Sequence, residues 1–170
     1  MASRIRRLSV AFFYDLRSSN YKLGMSVMLR TYATFTSTLP DDQQEKDGEI
    51  VAPGGRNILG RLRDGVTRRG YSSSEIEQHE DYGWCFDVIV PAGRIWCLIQ
   101  FCEPWLLITD RRGGLLRRLF GAGDDSAHRR VCEAFQEIIT EDSSFSELRW
   151  FTKAEFEGSK GRGGHKKPVE

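Results

Sequence analysis

The one place in this chain where residue types used in catalysis crowd together is His79-Glu80-Asp81, followed by Cys85 and Asp87. A cysteine–histidine pair would act as a nucleophile and its base, provided the two side chains lie in hydrogen-bond reach and a third group orients the imidazole. Cys85 and Asp87, two apart on a strand, share a face. His79 precedes the strand, among acids that keep it in solvent. The plainer reading is an acidic lead-in followed by a cysteine at the core edge. No catalytic residue is assigned, and His79, Cys85 and Asp87 stand only as a polar cluster. His128 falls in the first turn of a predicted helix and His165 in the tail, so neither joins it.

Other motifs are weaker still. Gly54-Gly55, Gly113-Gly114 and Gly121-Ala122-Gly123 lack the strand–loop–helix setting and the lysine of a phosphate loop. Asp124 and Asp125 stand at the one helix start where an anion would otherwise sit, and they argue against nucleotide binding. The four cysteines, Cys85, Cys97, Cys102 and Cys132, form no C-x-x-C pair, and three histidines give no paired-ligand spacing. They read as small buried hydrophobes in a reducing, cytoplasmic setting, with no metal and no cofactor implied. Arg111, Arg112, Arg117 and Arg118, interleaved with Leu115, Leu116, Leu119 and Phe120, form a basic loop that could touch a polyanion. Six residues are too few for a stable interfacial helix.

With 170 residues and 39% hydrophobic content, the chain can bury one core. Its formal net charge of +1 favours neither nucleic acid nor a membrane surface, and no apolar run is long enough to span a bilayer. Residues 1–24 carry Arg4, Arg6, Arg7 and Arg17 with only Asp15 opposing, and no pattern ties them to the rest of the chain. They read as an N-terminal extension, disordered or preceding a true start at Met25 or Met28. Residues 25–157 form one domain. The Gly- and Lys-rich stretch 158–170 reads as a disordered basic tail.

The elements that position any site are clearer. Val27 to Leu39 alternates as a strand, and Asp41 to Gly48 reads as a loop. Ile58, Leu59, Leu62 and Val66 predict a helix over 57–69, with Asn57 as N-cap and Gly70 at the left-handed end. Three strands come next. Trp84, Phe86, Val88 and Val90 share a face. With Ala92-Gly93 as the loop they oppose Phe101, Ile99, Cys97 and Ile95, and Leu106 and Ile108 fall beside Phe101 and Ile99. Ala127, Val131, Ala134, Phe135 and Ile138 predict a second helix over 126–140. Phe145 to Thr152 predicts a further strand.

This order predicts an α+β fold. The expected form is a two-layer sandwich, with a three-strand antiparallel meander, one or two further strands, and both helices on one face. The helix–three strands–helix–strand order resembles the small dimeric α/β chaperones of bacterial secretion systems, in topology alone, and topology does not fix function. The face away from the helices would carry Trp96, Leu98, Trp105, Leu107 and Ile89, an apolar patch to be covered by the chain's own N-terminal strand or Leu115–Phe120 segment, by a second copy in a homodimer, or by a protein partner or apolar ligand. A non-enzymatic protein-binding or self-associating module is therefore the expected function. The alternatives are an enzyme using His79–Asp87 and a polyanion-binding adaptor using Arg111–Arg118.

Overall fold

The computed structural model describes residues 28–91, 93–100, 102–112 and 125–169. The proposed N-terminal extension, Phe101, Arg117 and Arg118 lie outside them. Within them the fold is α+β: a seven-stranded sheet, a separate two-stranded ribbon and three helices. The sheet strands are β1 (Tyr32–Ser37), β4 (Ser72–Ser73), β5 (Glu77–His79), β6 (Gly83–Val90), β7 (Gly93–Gln100), β8 (Trp105–Arg112) and β9 (Phe145–Phe151). The ribbon is β2 (Gln44–Lys46) with β3 (Glu49–Ala52), and the helices are α1 (Arg56–Arg68), α2 (Ser126–Glu141) and α3 (Lys153–Ser159). The strand order is β4-β6-β7-β8-β1-β9, with β5 also on β6, and every pair described is antiparallel. β9 joins β1 at one edge of the sheet, and β1 lies between β8 and β9.

The expected face of β6 holds, but its register moves. Trp84, Phe86 and Val88 pair with Ile99, Cys97 and Ile95, two residues from the expected partners, and Val90 pairs with Gly93. An even shift keeps each side chain on its face. β8 shifts by an odd step, so Leu107, not Leu106 or Ile108, pairs with Ile99. The run Trp105-Leu106-Leu107-Ile108 is apolar at both parities, so alternation alone could not choose. Pairing with β1 decides it: Ala33 and Phe35, both fully buried, lie beside Leu107 and Trp105. One core then joins that face to Leu59, Leu62 and Val66 of α1 and Val131, Phe135 and Ile138 of α2.

Local chemistry explains the ends of α1. Asn57 is not its cap. The helix begins after Gly55, and Asp42 reaches in from the preceding loop, accepting from the Gly55 N–H and the Asn57 N–H at 2.6 Å each. A carboxylate there also suits the positive end of the helix. Gly55 has φ 102°, and a Cβ on it would stand 2.8 Å from the Trp105 ring, so this position excludes a side chain twice over. Gly70, at φ 86°, closes the helix as expected. α1 is clasped to α2 by Arg61–Asp142 at 2.6 Å and by Arg69 on Glu137 at 3.2 Å and on Glu141. The Arg61 hydrogen bond, helped by the Ser144 N–H, holds the Asp142 carboxyl down to about 2.

Two other expectations are corrected. The polar stretch Asp41–Gly48 is not only a loop, because Lys46 pairs with Glu49 across Asp47-Gly48. Both turn residues have positive φ, 54° and 84°, the geometry that makes Asp-Gly a strong hairpin signal. The tail is also ordered along the sheet. Trp150 and His165 exchange both backbone hydrogen bonds, at 2.7 and 2.8 Å, and the Arg30 N–H donates to the Pro168 carbonyl at 2.8 Å. Its way back is set by α3, whose capping box joins Thr152 and Glu155. Phe156 of α3 packs on Tyr32 and Phe151, on the face away from α1 and α2. The helices therefore do not all share one side.

The two glycines inside α1 should respond oppositely to alanine. A Cβ at Gly65 would lie 2.8 Å from three carbons of Ile138, a stiff β-branched neighbour on α2, whereas at Gly60 the nearest atom is 3.9 Å away. Gly65→Ala is expected to destabilise by about 1–3 kcal/mol through overpacking. Gly60→Ala should stabilise by about 0.5–1 kcal/mol through helix propensity. Urea midpoints moving in opposite directions would bear this out, and a rise in both would contradict the close α1–α2 approach.

Candidate functional site

The meander offers a second face, opposite α1 and α2, and the strand registers place its residues. Asp87, Trp96 and Asp110 stand in one row across β6, β7 and β8, with Ile89, Arg94 and Arg112 in the next. Alternation of these strands, with core residues on the odd or even positions facing the helices, forces all six onto one side. Asp87 is only 6% exposed and lies 3.6 Å from Arg94 Nη1 and 3.7 Å from Arg112 Nε. Both contacts are too long for hydrogen bonds. Its Oδ1 and the neighbouring Trp96 Nε1 are buried without hydrogen-bond partners among the described residues. Leaving such atoms unpaired costs about 1–3 kcal/mol each.

Trp96 is the centre of the cluster. The Arg112 guanidinium lies 5.3 Å from its ring centroid, in cation–π range. His79 meets it edge to face at 5.1 Å, and Tyr82 meets His79 at 5.3 Å. Ile89, 39% exposed, borders the arginines, and Tyr82 is 40% exposed.

Of the expected interface residues, Trp96 and Ile89 are on this face and reach solvent. Leu98 is on it but only 2% exposed. Trp105 and Leu107 are not on it: the odd shift of β8 turns both toward the helices, Leu107 without any exposed surface and Trp105 against Gly55. Arg94, Arg112 and Tyr82 were missed as part of the face. The β7–β8 register would have found the arginines, since Arg94 pairs with Arg112.

The polar cluster is drawn apart. His79 pairs with Gly83 and its ring turns to Trp96, while no hydrogen bond or ion pair among the described residues joins it to Cys85 or Asp87. In the basic loop, Arg111 is ion-paired to Asp125 at 2.6 Å, and Arg112 leans over Trp96. Cys85, Cys97 and Cys132 are buried and Cys102 is exposed, all as free thiols. Burial pushes Cys132 up to about 12 and Cys97 well above the usual thiol range, which removes both as nucleophiles. No group of three or more His, Cys, Asp or Glu among the described residues is placed to hold a metal. No helix among them is long and apolar enough to cross a membrane. A cleft of about 350 Å³ between α1 and α2 is lined by Arg61, Arg69, Glu141 and Asp142, charges that the helix clasp already pairs.

Comparison with family models, with curated proteins and with solved structures finds no match for the chain.

One buried polar group carries a pH signature. His128 of α2 sits 2.8 Å from Thr109 Oγ1, which is also 3.4 Å from Cys132 Sγ, all beneath the helix. Burial, reinforced by Arg111, lowers its pKa to about 4 from the usual 6.5. The folded chain therefore refuses a proton that the unfolded chain accepts. Stability should fall as pH drops from 6.5 toward 4, by roughly 3 kcal/mol in all. His128→Gln should flatten that limb of the pH–stability curve in denaturant titrations, and an unchanged slope would assign it to other groups.

Proposed function

We propose that this chain is a non-enzymatic binding module that engages protein through the β6–β8 face centred on Trp96. The observation that carries the reading is the state of Trp96: a half-buried indole held between Arg112 and His79, bordered by exposed Ile89, on the face that α1 and α2 leave open. Tryptophan, tyrosine and arginine are the types that dominate binding energy at protein interfaces, and here all three stand together, already oriented by their mutual contacts. Such pre-ordering lowers the entropy lost on association. Asp87 between two arginines adds polar groups that a partner's donors and acceptors can complete. The enzyme reading lacks the His79 contact to Cys85 or Asp87 that it requires.

A photoreactive benzoylphenylalanine placed at Ile89 of the full chain tests this directly. Irradiation in cells should give a discrete covalent protein adduct, and a second change, Trp96→Ala, should cut its yield about tenfold, the effect of losing one hot-spot residue. The same probe at exposed Glu133 on α2 provides the background. Adduct at position 89 no stronger than at 133, in a chain with unchanged circular dichroism, would sink the proposal.

A further inference from the structure

Among the described residues, the β2–β3 ribbon pairs with no strand other than its own two. Every residue of β2 and β3 except Ala52 is exposed, including Ile50 at 48% and Val51 at 50%. A two-stranded ribbon by itself is marginal in water, and apolar side chains on it call for a covering surface. It is also acidic: Asp41, Glu45, Asp47 and Glu49 are exposed, against one lysine, Lys46.

The Trp96 face has the opposite character where it ends. Ile89, Arg94 and Arg112 lie together at the close of β6, the start of β7 and the close of β8, and both arginines are more than half exposed. The ribbon, by contrast, is rooted at the other end of these strands. Trp84 Nε1 donates to the Pro53 carbonyl at 2.7 Å, and Gly55 abuts Trp105. Strands of eight residues separate the two ends by about 25 Å. An acidic, apolar arm and a row of two arginines beside Ile89, closing a face that also carries Asp87 and Asp110, thus occur on one chain at opposite ends of one sheet.

We propose that the β6–β8 face receives the β2–β3 arm of a second copy of this chain, so that copies associate head to tail. Glu45 and Glu49 meet Arg94 and Arg112, and Ile50 or Val51 covers Ile89 and the edge of Trp96. This rests on the reading of the Trp96 face as a binding surface and names its occupant. Because the two surfaces differ, the contact is heterologous and closes only as a ring, or continues as an open chain.

Light scattering on the full chain tests it. The mass should rise with concentration from 19.4 kDa to at least about twice that value. It should fall again as salt is raised from about 0.1 to about 1 M, where the screening length shrinks from about 10 to about 3 Å. The arm variant Glu45→Lys with Glu49→Lys, and the face variant Ile89→Asp, which keeps both arginines on Asp87, should each stay at the monomer mass. Mixed together they should form a one-to-one pair of about twice the monomer mass and go no further, since each keeps only the surface that the other has lost. A wild-type chain that stays monomeric, or variants that associate as well as it does, would overturn the proposal. If the probe at position 89 instead captures a different protein, the second copy is excluded while the binding face stands. If it captures nothing, both fall together.

Discussion

Phe35 has no exposed surface, and the arrangement of the sheet follows from where it sits. Its strand, β1, pairs with β8 on one side and β9 on the other, so it supplies backbone partners to two strands that do not touch each other. Each of those strands would otherwise present an open row of donors and acceptors. The side of β1 that bears Ala33 and Phe35 also decides which side of β8 is core, bringing Leu107 and Trp105 under the helices and turning Leu106 and Ile108 away. Phe145 then packs edge to face on Phe35, with ring centroids 5.4 Å apart, and brings β9 beneath α2. One interior strand, drawn from far away in sequence, fixes both the sheet order and which face of β8 turns away from α1 and α2.

This dependence explains what was legible in the sequence. The two long helices were, because periodic apolar stripes such as Ala127, Val131, Ala134, Phe135 and Ile138 are local and strong, and all five are buried. β6 was legible for the same reason, with Trp84, Phe86, Val88 and Val90 alternating with Cys85, Asp87 and Ile89. The run Trp105–Ile108 was not, because apolar side chains on both parities erase the alternation, and the choice passes to a partner strand about seventy residues away. Two local signals did exist and point where the structure goes: Asp47-Gly48 for the hairpin, and Thr152 followed three residues later by Glu155 for α3. Composition outweighed them. A Gly- and Lys-rich tail reads as disordered until its backbone is seen paired to Trp150, a contact that side-chain composition does not encode.

The candidate site was half legible for related reasons. Trp96 and Ile89 follow from alternation on β6 and β7 alone. Arg94 and Arg112 require knowing that β7 and β8 close on each other at that end, so that charges far apart in sequence come to flank one carboxylate. A net charge of +1 hides this, because acids on the ribbon cancel arginines at the far end of the sheet in the sum while remaining apart in space. Net charge constrains solubility and says little about local fields.

Sheet edges narrow the remaining choices of surface. Proteins often associate by adding strand to strand, and exposed edges invite it. Here the β6 edge is occupied by two short strands, β4 and β5, and Ser74 ties into the Asp87 backbone between them. At the other edge, β9 carries Glu147 at φ 58° beside a register shift against β1, and the tail takes both backbone groups of Trp150. An irregular, partly covered edge is a poor template for a new strand. On the free face, α3 covers the end formed by Tyr32 and Phe151. Among the described residues, the sheet surface that neither a helix nor an added strand covers is that of β6–β8 around Trp96, and it presents side chains rather than an open ladder.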